Sequence, residues 1–593
     1  MKMRVADYLT DALYRAGGET VFMVTGGMIM HLSDAVLVHG EQKWVSCHHE
    51  QAAVMAADAY GRYNNRIGVA YVTAGPGALN TLTGVVGAYV DSAPVVIVAG
   101  QSKVSQAKVT GPRQFALQGF NTLPLMDQVT KYAVMLDDVA TVKQQVEHAI
   151  WEATDGRPGP VWIECPVDLQ GTSFDPDDYP GFTPPPSTFE TPEAFAGKVA
   201  HVRVALQSVK RPLILAGAGV RCAGAIDDLL KLAEDTNIPV ITSRLGMDLM
   251  GFDNPLFVGH PGSYGDRPAN FAVQNCDLLL VIGCRMALGL VGHDFESFAP
   301  NAHVAMVDAD TAELDKPSVV PDLKIHADAK EFIDALAAQL GEWRQPNDAW
   351  VAKTQGWKTR YPVDLPEYAE ETEGVNSYHF TRLFSDKLAD DAVTVLDTGS
   401  CFHVWAQAAR VKQGQRHIVT GGLSTMGFMP AVIGAARAAD GHEVYCITGD
   451  GSIQMNLQEL QTIKHNKLPV KLVVFNNNGY LLIRHTQNNF EGGRLIGESA
   501  ETGVSFPDFE EVAKLYGMGF LRIGSAEELE SGIDSLLAAE GPLICEVMCP
   551  SWQLLVPRVA SKQLEDGTMM SMPYDDMFPF LDRDEYEENH VIG

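Results

Sequence analysis

The segment 449–480 constrains the fold more than any other part of the chain, because a polar turn follows each of two apolar runs. The apolar run 444–448 leads into the turn GDGS, a helix-like run covers 453–465, and the apolar run 470–475 leads into NNNGY. Strand, helix and strand in this order predict a βαβ unit. Open α/β sheets bind ligands at the carboxyl ends of their strands, which is where both turns fall.

Both turns carry groups suited to a magnesium-bound phosphate. Gly451 and Ser452 open the predicted helix, so their N–H groups and the helix dipole favour an anion such as phosphate. Asp450 and Asn477, with Gly479 beside them, place oxygen ligands at the two strand ends. Mg²⁺ prefers a few protein oxygens combined with phosphate oxygens. Each turn alone is ordinary turn chemistry, but the pair predicts a magnesium-diphosphate site.

The two turns together resemble the signature of thiamine diphosphate enzymes, Gly-Asp-Gly followed by a βαβ helix and Asn-Asn. The resemblance implies three doubly wound α/β domains with mostly parallel sheets, thiamine diphosphate as cofactor, and Mg²⁺ held by Asp450, Asn477 and Gly479. It also implies cofactor contacts at Gly26, Pro76, Asn80, Thr398, Gly399, Ser400, Ser424, Met426, Gly449, Gly451, Ser452, Tyr480 and Leu481.

Residues 1–185 alternate helix-like and strand-like segments, which predicts a parallel sheet. The resemblance implies that this domain binds the pyrimidine ring. Glu50 stands at a strand-to-helix junction in HHEQAAVMAADAYGR, where a glutamate is favoured by the helix dipole whatever its function. The motif resembles the segment that carries the catalytic glutamate of the family. That resemblance implies that Glu50 bonds N1′ of the aminopyrimidine and promotes loss of the C2 proton, a role that a buried carboxyl suits.

Two further segments of this domain resemble parts of the active site. The loop TAGPG contains Pro76 and is followed by Asn80, and its counterpart packs against the aminopyrimidine. The segment RQFALQGFNTLPLMDQVTK resembles the acetolactate-synthase segment that lines the substrate channel, which implies that Gln118 and Lys131 lie there. Gly119 replaces the usual acid after the glutamine. A solvated lysine is an equal alternative for Lys131.

A proline-rich linker ends the first domain, and 195–345 forms a second α/β unit. Its Gly-x-Gly is a weak dinucleotide fingerprint, since no acidic ribose partner follows at the expected distance. The motif order resembles the central domain of acetolactate-synthase-like enzymes, which often holds FAD. The resemblance implies flavin contacts at Gly217, Gly219, Gly259, His260, Gly283, Arg285, Asp308 and Asp328.

The segment after Arg285 departs from the acetolactate synthases. They carry Phe-Asp-Asp-Arg there, and the last arginine holds the carboxylate of the acceptor, whereas this chain reads Met-Ala-Leu-Gly. Loss of a bidentate guanidinium removes the natural partner of a 2-oxo acid. We therefore expect an acceptor without a carboxylate, and the departure also weakens the expectation of FAD.

The third unit, 370–555, is predicted to bind the diphosphate. Thr398, Gly399 and Ser400 follow a strand and can hydrogen-bond phosphate oxygens. In GGLSTMGF, Met426 takes the position of the apolar residue that bends thiamine into its V shape, and Ser424 offers a carbonyl to the 4′-amino group. A core methionine is the alternative for Met426.

Ile483 bears on the choice of reaction. Pyruvate-decarboxylase relatives carry a glutamate at this position, which helps to protonate the intermediate. With no acid there, the resemblance implies that the hydroxyethyl carbanion survives to attack a carbonyl.

The tail 556–593 resembles the C-terminus of YerE-type carboligases of sugar pathways, which add an acetyl unit to a keto-sugar; a docked or disordered tail is the alternative.

Composition excludes several other classes of protein. The net charge of −31 argues against nucleic acid and anionic membrane surfaces as partners, and no apolar run is long enough to span a bilayer. The nine cysteines contain no CxxC pair, so we expect no zinc site, no disulfide framework and a cytoplasmic location.

The sequence thus predicts a thiamine diphosphate- and Mg²⁺-dependent decarboxylating carboligase that joins a unit from a 2-oxo acid, pyruvate by resemblance, to a ketone or keto-sugar. Its sites are expected at the interfaces of a homodimer or homotetramer. Acetolactate synthase, an FAD-linked 2-oxo acid oxidase and a catalytically silent cofactor-binding scaffold are the alternatives.

Overall fold

The computed structural model describes residues 2–563 and 569–591. Three six-stranded sheets follow one another along the chain, and every strand pair within them is parallel. The central strands are almost entirely apolar and buried, as expected for parallel sheets covered by helices on both faces. The predicted fold class, three doubly wound α/β domains, is confirmed.

The first sheet is built by the first 166 residues of the chain. Its strands, in spatial order, are Lys43–Ser46, Thr20–Met23, Gly68–Val72, Val95–Gln101, Val161–Pro166 and Tyr132–Met135. Its α-helices are Val5–Arg15, Met30–His39, Glu50–Asn64, Pro76–Asn80, Leu82–Val90, Val104–Ala107, Leu123–Met126, Val142–Thr154 and Val167–Gln170. Met3–Arg4 and Ser173–Phe174 form a small antiparallel ladder beside it.

The second sheet has strands Phe257–Gly259, Val240–Thr242, Pro212–Ala216, Leu278–Ile282, His303–Asp308 and Leu323–His326 in spatial order. Its helices are Pro192–Ser208, Ala218–Cys222, Ile226–Thr236, Arg267–Asn275, Leu288–Val291, Thr311–Asp315, Ala329–Leu340 and Asp348–Arg360. The chain order reverses between Pro212–Ala216 and Leu278–Ile282, so a ligand crevice is expected at their carboxyl ends.

The third sheet has strands Arg416–Val419, Val393–Leu396, Val444–Gly449, Val470–Asn476, Leu543–Met548 and Gly519–Ile523 in spatial order. Its helices are Ser377–Lys387, Ser400–Ala408, Ala431–Ala438, Glu459–His465, Leu481–Phe490, Phe509–Tyr516 and Leu529–Ala538. The single helix predicted over 453–465 is divided into a 3₁₀ turn, Ser452–Asn456, and the helix Glu459–His465. The turn is held by contacts with a distant loop, since the Ser452 hydroxyl accepts from the N–H of Gly427 and the Asn456 amide donates to the Gly427 carbonyl.

The first and third domains of one chain pack closely together. Helix Glu50–Asn64 lies against Ala431–Ala438, and a Cβ on Gly434 would stand 1.8 Å from the carbonyl oxygen of Ala56. Residues of both helices share one buried core cluster. The domains that carry the two predicted halves of the site are therefore in direct contact within one chain.

The described part of the tail docks on the second domain. Tyr574 is buried and its hydroxyl donates to the carbonyl of Leu290, while Asn270 donates to the carbonyl of Tyr574. The Trp357 indole donates to Asn589, which follows helix Arg583–Glu588. Residues 564–568 of the predicted tail lie outside the described residues. No helix in the described ranges combines the length and apolar character needed to cross a membrane.

Candidate active site

Asp450 directly follows the strand Val444–Gly449 and is almost fully buried. Its carboxylate accepts hydrogen bonds from the N–H groups of Gly451 at 2.7 Å, Gly479 at 3.0 Å and Asn477 at 3.2 Å. Burial raises the pKa of Asp450 to about 7, although these hydrogen bonds oppose the shift. A carboxylate has about four acceptor positions, so Asp450 keeps capacity for a cation.

Asn477 supplies the second oxygen. Its side-chain Oδ1 is buried and has no hydrogen-bond partner among the described residues, which is costly unless a ligand binds it. Arg484, which is paired with Glu498, donates to the carbonyls of Asn477 and Asn478 and fixes the turn that ends at Gly479. Asp450, Asn477 and Gly479 therefore fit Mg²⁺.

The described residues contain no group of three or more His, Cys, Asp or Glu side chains that could hold a metal ion. This finding is compatible with a magnesium site at Asp450. One carboxylate, one amide oxygen and one backbone carbonyl leave coordination positions for phosphate oxygens and water, which is how Mg²⁺ is commonly bound.

Asp397 hydrogen-bonds three of the segments that are predicted to surround the diphosphate, and the sequence did not point to this residue. It is fully buried and accepts from the N–H groups of Thr398 at 2.8 Å and Phe428 at 3.1 Å and from the hydroxyl of Thr448 at 2.9 Å. Burial raises its pKa, and a hydrogen bond from Ser452 opposes that shift. An aspartate after a strand is so common that only its neighbours reveal the role.

The predicted diphosphate groups lie around this aspartate. Gly399 has φ +94°, a conformation that favours glycine, and it lets Ser400 begin the helix Ser400–Ala408 with its N–H groups free for an anion. The Ser452 hydroxyl oxygen accepts from the N–H of Gly427 at 2.9 Å, so the backbone N–H of Ser452 is the group left for phosphate.

The loop 420–427 carries Ser424 and Met426. Asp91, at the end of helix Leu82–Val90, accepts from the N–H groups of Gly421 at 3.1 Å and Gly422 at 2.7 Å. Ser424 is exposed and has φ +53°, and Met426 is partly buried, so both remain available to a cofactor. Asp91 thus anchors the loop from another domain, and nothing in the sequence around it signalled this role.

The helix Leu481–Phe490 begins beside the turn that contains Asp450. The Tyr480 ring packs over Gly451, where a Cβ would come within 2.1 Å of the ring. Gly449 ends the preceding strand, and Leu481 is buried at the start of the helix. Ile483 lies on the open face with 45% of its surface exposed, as expected for a residue that lines a channel or a subunit interface.

Glu50 begins the helix Glu50–Asn64 and is buried, with 8% of its surface exposed. Its Oε2 accepts from Nδ2 of Asn80 at 2.9 Å, and a Cβ on Gly77 would lie 3.1 Å from Oε1. Pro76 is exposed at the first position of Pro76–Asn80. The structure brings Glu50 and Asn80 into contact, and Pro76 directly precedes the glycine that lies beside the same carboxylate.

Gly26 and Gln118 adjoin the same cluster. A Cβ on Gly26 would lie 2.5 Å from Thr73, in the loop that precedes Pro76. The carbonyl of Gln118 would lie 2.5 Å from a Cβ on Gly75, so Gln118 is next to the loop that contains Pro76. Gln118 itself is exposed and has φ +56°.

Lys131 is placed differently from Gln118. Its ammonium donates to the carbonyls of Glu152 and Asp155 at the end of helix Val142–Thr154, and burial lowers its pKa. These contacts give Lys131 a structural role, which differs from both the channel position and the solvated lysine considered above.

The two halves of the predicted site make no hydrogen bond to each other in the described part of the chain. Glu50 bonds Asn80, whereas Asp450 bonds its own turn and that of Asn477. The hydrogen bonds between these domains lie elsewhere; they include those from Gly421 and Gly422 to Asp91 and one from the N–H of His48 to Glu459 at 2.9 Å.

A cavity of about 700 Å³ opens at the switch point of the second sheet, a size typical of ligand sites. Five of the eight predicted flavin contacts line it, namely Gly219, Gly283, Arg285, Asp308 and Asp328. Gly217 packs against Gly283 just behind the wall. Burial raises the pKa of Asp308 to about 6. Asp328 accepts from the N–H groups of Lys330 and Glu331 at the start of helix Ala329–Leu340.

Gly259 and His260 are not part of the cavity wall, although the next residue, Pro261, is. His260 is buried, and its ring Nδ1 lies 2.9 Å from the hydroxyl of Thr242. The backbone N–H of His260 donates to Asp266. Burial lowers the pKa of His260 to about 4. This neutral histidine supports the wall from behind.

Comparison with known families gives three consecutive matches. Residues 3–130 match "Thiamine pyrophosphate enzyme, N-terminal TPP binding domain", 199–336 match the central domain of the same family, and 397–547 match its C-terminal TPP binding domain. Together they cover well over half of the chain.

Similar curated proteins cover almost the whole chain. The acetolactate synthase large subunit of Parasynechococcus marenigrum (strain WH8102) is 34% identical over 91% of this chain and 86% of its own length. The acetolactate synthase isozyme 2 large subunit of Escherichia coli (strain K12) is 32% identical over 95% of this chain and 99% of its own. The acetolactate synthase large subunit of Cyanidium caldarium is 32% identical over 93% and 94%, respectively.

Proposed function

This chain belongs to the thiamine pyrophosphate enzymes of the acetolactate synthase type, and from that premise we propose that it is a decarboxylating carboligase. Its donor is a 2-oxo acid, pyruvate in the first instance, and its acceptor is a ketone or keto-sugar. The names of the similar proteins support pyruvate chemistry. Retention of Glu50, Asp450 and Asn477 argues against a silent scaffold.

The cofactor is bound by the two clusters described above. Asp450, Asn477 and the carbonyl of Gly479 hold Mg²⁺, and the N–H groups at Ser400 and Ser452 receive the diphosphate. Thiamine diphosphate supplies the electron sink for decarboxylation when bound. The residues of the protein bind and orient the cofactor and transfer protons.

Glu50 performs the proton step. The carboxyl is buried and held at one oxygen by Asn80, so its other oxygen is free to bond a ring nitrogen of the cofactor. Because Glu50 makes no described contact with Asp450, we propose that the partner subunit of a homodimer or homotetramer brings the two clusters together.

The observation that carries the choice of carboligation is the composition of the helix Leu481–Phe490. Its first turn presents Leu481, Leu482 and Ile483, and none is an acid. Glu498, which follows this helix, is paired with Arg484 at 2.6 Å. With no proton donor at this turn, release of an aldehyde is slow and addition to an acceptor carbonyl is favoured.

Acetolactate synthesis, with a second pyruvate as acceptor, is the second candidate, and it is favoured by the names of the similar proteins. The sequence Met-Ala-Leu-Gly after Arg285 favours the neutral acceptor instead.

We also propose FAD as the occupant of the cavity, with Asp308 and Asp328 at its sugar end. A flavin-linked oxidase would consume oxygen with pyruvate, whereas a carboligase would not.

Labelled pyruvate tests the proposal. The protein is incubated with thiamine diphosphate, Mg²⁺ and [2,3-¹³C₂]pyruvate, alone and with acetone or a keto-sugar, and products are identified by mass. We expect ¹³C₂ units joined to the neutral acceptor. Acetolactate as the sole product in every mixture would support the second candidate, and free acetaldehyde as the main product would contradict carboligation.

A further inference from the structure

One arginine of the cavity wall has an unusual set of partners. Arg244 follows the strand Val240–Thr242 and is partly buried. Its guanidinium donates to the carbonyl of Tyr264 at 2.7 Å, meets Nδ1 of His403 at 3.0 Å, and lies 5.1 Å from the centroid of the Phe402 ring. All of these partners are neutral, and two of the five N–H donors are used.

Two other arginines near this cavity, both partly buried, are paired with carboxylates. Arg157 lies within 2.9 Å of both Asp310 and Glu313, and Arg416 lies 2.7 Å from Asp248. No ion pair among the described residues involves Arg244, and burial lowers its pKa to about 10. Burying a cation without an anion is expensive, so an unpaired guanidinium in a cavity wall indicates an anionic ligand.

His403 adds a second donor. The Arg244 guanidinium has no acceptor atom, so Nδ1 of His403 must accept, which places the proton on Nε2. Burial and the Arg244 charge hold the pKa of His403 well below its usual range, so the ring is neutral. No described hydrogen bond uses its Nε2, and His403 lines the cavity. The pair therefore offers a guanidinium fork and a neutral N–H.

The position of the pair separates it from the acidic part of the cavity. Arg244 follows a strand that is three strands away from His303–Asp308 and four from Leu323–His326 in the sheet order. His403 lies one turn beyond Ser400, and the wall on this side includes Gly421 and Ser424 of the cofactor loop.

We propose that Arg244 and His403 form an oxyanion-binding site at the catalytic end of the cavity, which takes a carboxylate or phosphate of the molecule that fills it. That group comes either from a nucleotide cofactor or from the acceptor substrate. Recognition of a nucleotide does not depend on the proposed reaction, whereas recognition of an acceptor carboxylate rests on the second candidate function, in which pyruvate is the acceptor.

Two arms of one experiment distinguish these sources. In the first, isothermal titration calorimetry with ADP and FAD compares the full chain with Arg244→Gln, Arg244→Lys and Arg410→Gln, the last being an arginine outside the cavity wall. In the second, the acceptor KM is compared for pyruvate and for acetone in the loaded enzyme. Thermal melting checks the folding of each variant, and Arg244→Lys keeps the charge if Arg244→Gln fails to fold.

Loss of charge-assisted hydrogen bonds is expected to weaken anion binding about 10- to 100-fold in Arg244→Gln, and less in Arg244→Lys. Weaker ADP or FAD binding assigns the anion to a nucleotide. A higher KM for pyruvate with an unchanged KM for acetone assigns it to the acceptor. The proposal is overturned if folded Arg244→Gln matches Arg410→Gln in both arms, or if the natural chain binds neither nucleotide and shows no use of pyruvate as acceptor.

Discussion

Competition between a proton and a metal ion at Asp450 gives a pH dependence that can be worked out from the structure. Burial raises the pKa of this carboxyl to about 7, and Mg²⁺ requires the ionised form. Such a group is about one-tenth ionised at pH 6 and about nine-tenths ionised at pH 8. We therefore expect the Kd for Mg²⁺ to be about tenfold higher at pH 6 than at pH 8.

Calorimetric titration of Mg²⁺ in the presence of thiamine diphosphate measures this ratio. Asp450→Asn is the matched control, because it keeps an oxygen but cannot ionise. Any pH dependence left in that variant arises from other groups, including the cofactor phosphate, whose last pKa is about 6. An identical ratio of Kd values in both chains would refute the assignment of Asp450 as the metal ligand.

The same pKa affects the stability of the metal-free protein. The folded-state pKa of Asp450 is raised above the ordinary value of 3.8, so the native state holds a proton between about pH 4 and 7 that the unfolded state has lost. The contribution of Asp450 to stability therefore falls as pH rises through this window, by at most about 4 kcal/mol. Asp450→Asn should raise the metal-free Tm at pH 8 and change it little at pH 4.

Three further substitutions test separate parts of the account. Asp91→Ala removes the acceptor of two backbone N–H groups at Gly421 and Gly422, and we expect about a tenfold rise in the apparent Kd for thiamine diphosphate, with Asp91→Asn intermediate; equal affinities would contradict the anchoring role. Ile483→Glu should raise the ratio of acetaldehyde to coupled product, measured by gas chromatography, and an unchanged ratio would show that this position does not control protonation. Tyr574→Ala removes a buried aromatic ring of the tail and should cost about 3–5 kcal/mol, seen as a lower Tm, whereas an unchanged Tm would show that the tail does not stabilise the second domain.

Sequence alone could predict the fold because each domain repeats apolar strands and helix-like runs. The turns at Asp450 and Asn477 follow adjacent strands of a parallel sheet, and the structure brings both to one edge, with Asp450 bonded to the N–H of Asn477. The prediction of one helix over 453–465 was wrong at its start, where residues 452–456 form a 3₁₀ turn. In this turn the Ser452 hydroxyl accepts from the N–H of Gly427.

Contacts between distant parts of the chain were not predictable from the sequence. Asp91 bonds residues 330 positions away, and Arg244 meets His403 across 159 positions. Neither Asp91 nor Arg244 lies in a motif that marks it. Lys131 shows what a motif leaves out, since the resemblance implied a channel position but gave no sign that its ammonium bonds the carbonyls of Glu152 and Asp155 in its own domain.

The most direct test of the central claim is the rate of deuterium exchange at C2 of bound thiamine diphosphate, followed by NMR with Mg²⁺ and no substrate. Glu50→Gln removes the proposed proton carrier, and Glu19→Gln is the control at an exposed glutamate of the same domain. We predict an exchange rate at least about 100-fold lower in Glu50→Gln, with cofactor binding retained and Glu19→Gln unchanged. Equal exchange rates in all three chains, with the cofactor bound, would contradict the account.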